Sequence, residues 1–227
     1  FQGVSNESLD ITTLGRGGTD LTAVALAAAL GADSCEIYTD VRGVFTADPR
    51  IVPEAQKLHA VGYDEMLEMA ASGAKVLQLR SVECARNHNV RLHVRSTVAD
   101  ADGTWITEEE DPMREKAMIS GVVHTREELV YRASGVGAAS LFEALALASV
   151  NVDTIVPISP DEIVFSAPTE DRVDIERTLD SLGADWSSRD DLGKVSVVGA
   201  GMKSHPGIAA KTFATLRAEG VEPAVVT

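Results

Sequence analysis

Residues 12–30 read TTLGRGGTDLTAVALAAAL. Three glycines, Gly15, Gly17 and Gly18, fall within four positions, and Thr19-Asp20 leads into a run dominated by Ala, Leu and Val. Glycine lets a backbone approach a ligand closely, and a helix N-terminus offers free N–H groups to an anion. The spacing predicts a buried, Ala-rich helix over Leu21–Leu30, with Thr19 or Asp20 as its N-cap and Gly31 as its stop. The stretch SCEIYTD, Ser34–Asp40, then reads as a strand. Loop, helix, short turn and strand in that order are what α/β folds use.

Working outward, VRGVFTADPR is a loop broken by Gly43 and Pro49. Two helices are expected, Tyr63–Ala71 and Lys75–Asn87, separated by Ser72-Gly73, and then a strand at Arg91–Ser96. Ala99–Pro112 is acidic and polar, and a domain boundary is placed there. The second half carries an internal repeat. AASLFEALALASVNVDTIV from Ala138 can be laid on IAAKTFATLRAEGVEPAVV from Ile208. Ala139, Phe142, Leu145 and Val150 then fall on Ala210, Phe213, Leu216 and Val221. Strands are expected at ELVYR, Glu128–Arg132, before the first helix, and at Val152–Ile158, Glu162–Ser166, Lys194–Val198 and Ala224–Thr227, with a second helix at Glu170–Leu182. That order is β-α-β-β-α-β, a ferredoxin-like unit begun a second time. The loop before the second helix is KSHPG; before the first stands only ASGVG, as if a few residues were missing.

Of the 227 residues 44% are hydrophobic, enough to bury cores. The formal charge is −15 and no Lys/Arg run occurs. Nucleic acids and anionic membranes, which need a basic face, are therefore not expected as partners. Cys35 and Cys84 lie in apolar patterns outside any metal-ligand spacing, as reduced thiols of a cytoplasmic protein would. The longest apolar run, Leu21–Leu30, is too short to cross a bilayer. The chain opens at FQGVSNESLDITT without Met, as if in the middle of a domain, so a fragment is expected.

Three stretches could carry chemistry. Arg16 offers a fork for carboxylate or phosphate, Thr19 a hydroxyl and Asp20 a carboxylate. A loop with both signs suits a zwitterion beside a transferring phosphoryl group, or else is a tight turn with a capped helix. The Gly-Lys-Ser/Thr ending of a Walker A loop is absent. Thr39 and Asp40 stand at the carboxyl end of a strand, where α/β sheets bind ligands, with Arg50 after the next loop; a surface turn is the plainer reading. Lys75 at a helix start opposes the dipole unless an anion is bound, or is simply exposed.

Taken together, TTLGRGGTD, EIYTDVRGVFTADPRIV and GAKVLQLRSVECA resemble the aspartate kinases of the amino acid kinase family, in the family's order. The second half resembles the tandem ACT domains that follow the kinase domain there. The resemblance implies an α/β fold: residues 1–112 as the C-terminal part of a kinase domain with a mostly parallel sheet, 113–193 as a first α+β ACT domain with segments missing, and 194–227 as the start of a second. It implies phosphoryl transfer from ATP to L-aspartate with Mg²⁺. Arg16, Gly17, Gly18 and Thr19 would contact aspartate, and Asp20 would organise the point where the substrates meet, with Arg16 and Asp20 in the catalytic role. Thr39, Asp40 and Phe45, where the family usually has Tyr, would meet the nucleoside; Arg50 and Lys75 would face the phosphates, and Val76 would belong to the same ATP site. No residue is assigned to a metal. Lysine, threonine or both would be effectors at Asn151, Val152 and Asp153 and at Ser204, His205, Pro206 and Gly207. ACT pairing would build a homo-oligomer, or join a separate ACT-containing subunit.

The family's N-terminal Lys-Gly-Gly loop and upstream aspartate contacts are absent from this sequence. A chain lacking them is expected not to turn over. The alternatives are a non-catalytic regulatory ACT module with a partial kinase segment, and a related kinase acting on glutamate, carbamate or a nucleotide.

Overall fold

In the computed structural model, which describes residues 2–108, 119–199 and 207–227, helix α1 runs Gly18–Leu30. It starts earlier than the sequence predicts. The N-cap is Gly17, at φ 73°, and no side chain caps the helix. A left-handed glycine turns the chain into the helix by itself, so Thr19 and Asp20 lie inside the first turn instead of capping it. Asp20 there still favours the helix dipole. Gly31 ends α1 at φ 60°, and Ala32 N–H donates to Ala27 O at 2.9 Å, as a left-handed C-cap does.

Strands β1 (Gln2–Val4) and β2 (Ile11–Thr13) form an antiparallel ribbon ahead of α1. The first main sheet is built from β3 (Cys35–Thr39), β4 (Ala60–Val61), β5 (Leu92–Ser96) and β6 (Thr104–Ile106), in the order β3-β5-β6-β4. Strands β3 and β5 are parallel, with Cys35 opposite Leu92 and Thr39 opposite Ser96. Alternation sends Cys35, Ile37, Leu92, Val94 and Ile106 into a core shared with Val24 of α1. Helices α2 (Tyr63–Ala71) and α3 (Leu79–Asn87) complete it with Met66, Met69, Val82 and Ala85. Across the other face Glu36, His93 and Trp105 form one cross-strand row, with His93 stacked on Trp105 at 3.9 Å. The short β4 and β6 carry too few residues to show a period, and the sequence reading missed them.

Helix α2 has the predicted bounds, but α3 begins at Leu79, not Lys75. Gly73 at φ 110° ends the α2 turn, and Gln78 is extended, so the intervening residues form a turn.

The second sheet joins β7 (Gly121–Ser134), β8 (Ile155–Ser159), β9 (Glu162–Ala167) and β10 (Asp185–Val198) in the order β10-β7-β9-β8. With α4 (Ala138–Leu147) and α5 (Arg172–Ser181), entered through a 3₁₀ turn at Thr169–Asp171, the chain order is the expected β-α-β-β-α-β. Leu129 and Tyr131 of β7, Ile163 and Phe165 of β9, Leu141 and Leu145 of α4, and Ile175 and Leu179 of α5 are its core. Tyr131 stacks on Phe165 at 5.3 Å.

The repeat is uneven. Helix α6 (Ile208–Ala218) is the counterpart of α4, but it buries no residue, and Phe213 is exposed. The strand expected at Ala224–Thr227 does not form; Ala224–Val226 instead lie along a groove on the second sheet with Val130, Val156 and Leu192. The strand expected from Val152 begins at Ile155.

The chain forms two compact units, residues 1–124 with 196–211, and residues 125–195 with 212–227. The boundary expected at 112 lies outside the described residues, and residue 194 falls within β10. No helix among the described residues is long and apolar enough to cross a membrane.

Candidate active site

The glycine-rich loop is folded by two left-handed glycines, Gly15 at φ 74° and Gly17 at φ 73°. Gly18 N–H donates to Gly15 O at 3.0 Å and Leu21 N–H to Gly17 O at 3.2 Å, closing the turn onto α1. The Arg16 side chain is exposed, and Asp20 is half-buried. The Cys35 thiol is pushed up, first by burial and then by the Asp20 carboxylate.

A partner for this loop comes from α3. Arg80 Nη2 donates to Leu14 O and to Arg16 O, both at 2.8 Å. A Cβ on Gly17 would overlap the Gln78 side chain, so only glycine lets loop and helix meet this closely. Lys75 and Val76 stand three and two residues before Gln78, Lys75 exposed and Val76 half-buried. The structure therefore brings the first and third stretches together. It places Lys75 on a turn rather than at a helix N-terminus, which corrects the dipole argument. Gln78 and Arg80 were missed; the only signal was a long cation just after the turn containing Lys75.

The second stretch is held at the end of β3. Thr97 donates to Thr39 O through N–H at 2.8 Å and through Oγ1 at 3.1 Å, and Thr39 Oγ1 donates to Asp40 Oδ1 at 3.1 Å. Phe45 is half-buried and bridges to Lys57. Arg50 is not a free cation. Its Nε and Nη2 donate to Asp48 at 3.0 and 2.9 Å, and this holds the Asp48 carboxyl down at about 2. Asp40 is close enough to stabilise the Arg50 charge further.

In the second unit, Val152 packs against the core and Asp153 N–H donates to Ser166 O at 2.9 Å. The Asp153 carboxylate, expected to meet an effector's ammonium, already pairs with Lys194. Glu128 Oε1 lies 3.9 Å from the same Lys194 Nζ. Neither Lys194 nor Glu128 stood out in the sequence. Ser204, His205 and Pro206 lie outside the described residues, and Gly207 is exposed at φ 105°, just before α6.

No group of three or more His, Cys, Asp or Glu side chains able to hold a metal occurs among the described residues.

An amino acid kinase family model matches residues 1–96, and an ACT domain model matches residues 195–227. The aspartokinase of Corynebacterium efficiens is 48% identical over 235 residues, covering 96% of this chain and 56% of that protein. The chain thus spans little more than half the length of that relative. Among solved structures, E. coli aspartokinase III in complex with aspartate and ADP, in its R-state, superposes with a TM-score of 0.82 at 27% identity, over 96% of this chain and 51% of that one. The same enzyme in complex with lysine and aspartate, in its T-state, superposes at 0.75 and 26% identity, over 100% of this chain and 52% of that one. Kinase and ACT matches in this order, with 48% identity running through both, mean that the chain belongs to the aspartokinase family, within the amino acid kinases.

Proposed function

We propose that the chain serves an aspartate kinase, which transfers the γ-phosphoryl group of ATP to the side-chain carboxylate of L-aspartate. A carboxylate oxygen forms the new P–O bond, the bond from γ-phosphorus to the β,γ-bridging oxygen breaks, and ADP leaves. The observation that carries this reading is the junction of the GRGGTD loop with the Lys75–Arg80 segment, where Arg80 bonds the loop and Gln78 packs on Gly17, which supports an aspartate contact beside a phosphate contact. The neighbouring structure bound to aspartate and ADP supports the same pair of ligands.

Arg16, Thr19 and the N–H of Gly17 take the substrate carboxylates, Gly18, whose own N–H closes the turn onto Gly15 O, lines the same loop, and Asp20 takes the ammonium. Thr39, Asp40 and Phe45 meet the nucleoside, while Arg50, Lys75 and Val76 face the phosphates. Phosphoryl transfer is chiefly positioning and charge neutralisation, so these groups suffice without a covalent nucleophile. Mg²⁺, when bound, supplies further neutralisation of phosphate charge. The product opens synthesis of lysine, threonine, methionine and isoleucine in the cytoplasm. Lysine, threonine or both regulate it through Asn151–Asp153 and Ser204–Gly207, and ACT pairing makes the oligomer. The lysine-bound T-state neighbour supports lysine as an effector.

The test is ADP release by the purified protein with ATP and Mg²⁺, with and without aspartate, and with and without lysine plus threonine. Aspartate-dependent release that falls with the effectors is expected of a protein that also carries the N-terminal Lys-Gly-Gly loop. No release, with lysine or threonine still bound, would overturn catalysis by this chain in favour of a regulatory ACT module.

A further inference from the structure

Leu14 O and Arg16 O belong to the peptide units that carry the N–H groups of Gly15 and Gly17. A trans peptide points its C=O and its N–H in opposite directions. One nitrogen of Arg80 draws both carbonyls toward α3, each at 2.8 Å. The Gly15 and Gly17 N–H groups are therefore turned away from α3. Both glycines sit in the left-handed region that this arrangement needs. The contact spans 64 residues for Arg16 and 66 for Leu14, so nothing local enforces it. On the near side, Gln78 fills the space that a Gly17 side chain would need. Arg80 also places its charge beneath a loop meant for carboxylates.

We propose that Arg80 is a positioning residue: it pins the carbonyls of the 14–18 loop, aims the Gly15 and Gly17 N–H groups at the substrate carboxylate, and so sets aspartate affinity. The second half of this statement rests on the aspartate reading of the loop; the first half stands on the geometry alone.

The experiment compares the purified wild-type chain with Arg80→Ala and Arg80→Lys. Hydrogen exchange of the ligand-free proteins reads the amides of Gly18 and Leu21, which close the loop onto α1. In Arg80→Ala these exchange about tenfold faster, while amides in the β5 core do not change. Aspartate titration by calorimetry gives a dissociation constant raised about tenfold in the same variant. Arg80→Lys keeps the charge and the stem, folds like the wild type, and falls between the two. Unchanged exchange in both variants would overturn the proposal. So would faster exchange with wild-type aspartate affinity, since the loop would then be pinned to no purpose in binding. A wild-type chain that binds no aspartate would overturn the aspartate reading, and the exchange result would still decide whether Arg80 fixes the loop.

Discussion

The Asp48 carboxylate holds the Arg50 guanidinium in a two-nitrogen grip, Nε at 3.0 Å and Nη2 at 2.9 Å, only two residues apart in sequence. The Arg50 side chain is 84% exposed and that of Asp48 21%, so the cation of the pair sits in water and the pair adds little to stability. Under the proposed ATP contacts its consequence is for binding: a phosphate reaching Arg50 would share it with Asp48. Asp48→Asn is expected to tighten ADP binding about fivefold, as removal of one competing exposed charge does. Because Asp48 is held at about 2, below its usual 3.8, the competition operates throughout neutral pH and ends only as pH falls through about 2. Calorimetric titration with ADP at pH 7 checks this; an unchanged constant would remove Arg50 from the phosphate contacts.

Gly17 and Gly31 have nearly the same left-handed backbone, at φ 73° and 60°, but different surroundings. A Cβ on Gly31 meets nothing within 4 Å, whereas one on Gly17 overlaps Gln78. Gly31→Ala should cost only the backbone strain, roughly 1 kcal/mol. Gly17→Ala should cost more and, unlike Gly31→Ala, weaken aspartate binding. Adding Gln78→Ala to Gly17→Ala should recover part of the excess, because it removes Cγ and Cδ but leaves the Gln78 Cβ 2.8 Å from the added one. Urea denaturation of the four proteins measures the difference, and equal costs for both glycines would refute the close approach.

The sequence made the helices of the first unit legible because their apolar periods are long, and Tyr63–Ala71 was read to the residue. It made the loop legible as a tight turn opening onto a helix because glycine spacing is local information. It could not show Arg80 reaching Leu14, because that contact spans 66 residues and needs the tertiary fold. Lys194 escaped for the same reason, being paired across 41 residues with Asp153. The N-cap was misread because Thr19-Asp20 has the right side chains, while a left-handed Gly17 does the turning two residues before Thr19. The repeat was legible as pattern only: α4 buries Leu141 and Leu145, and α6 buries none of its residues.

Tyr131 is buried between Phe165 and Trp186, with its hydroxyl 3.4 Å from Glu176 Oε1. Burial first, and the Glu176 charge second, push its phenol well above the ordinary 10.0. The folded state thus keeps a proton that the unfolded chain loses above pH 10. Stability from this group is complete below pH 10 and declines as pH rises beyond it. Tyr131→Phe should leave neutral-pH stability nearly unchanged and flatten the alkaline limb. Tm between pH 8 and 11.5 measures this; parallel curves for the two proteins would refute it.

Phe165 is fully buried and meets both Tyr131 and Phe142, edge-on to the latter. Phe165→Ala should cost the second unit about 3–5 kcal/mol, the usual range for an aromatic core truncation. The chain has two tryptophans, Trp105 on β6 and Trp186 on β10, the latter 5.9 Å from Tyr131. With Trp105→Phe as background, Trp186 fluorescence follows the second unit alone. Its urea midpoint should drop in the Phe165→Ala variant. An unchanged midpoint would mean that this core does not hold the unit together.

Lys194 answers the carboxylate that an amino-acid effector would need. Its ammonium pairs with Asp153 and stands 3.9 Å from Glu128, so both acids share one internal cation. Any ligand ammonium arriving at Asp153 competes with a tethered one that has no association entropy to lose. Lys194→Met keeps the apolar stem and removes the competitor, leaving two carboxylates without their cation. Lysine should then bind about tenfold tighter, with a steeper loss in salt, and Asp153→Asn should cancel the gain. The removal also leaves Glu128, which is mostly buried, without a partner, so Tm should fall even as affinity rises. Calorimetry with lysine at two salt concentrations separates the two effects. A variant that loses stability but binds lysine no better would place the effector's ammonium somewhere other than Asp153.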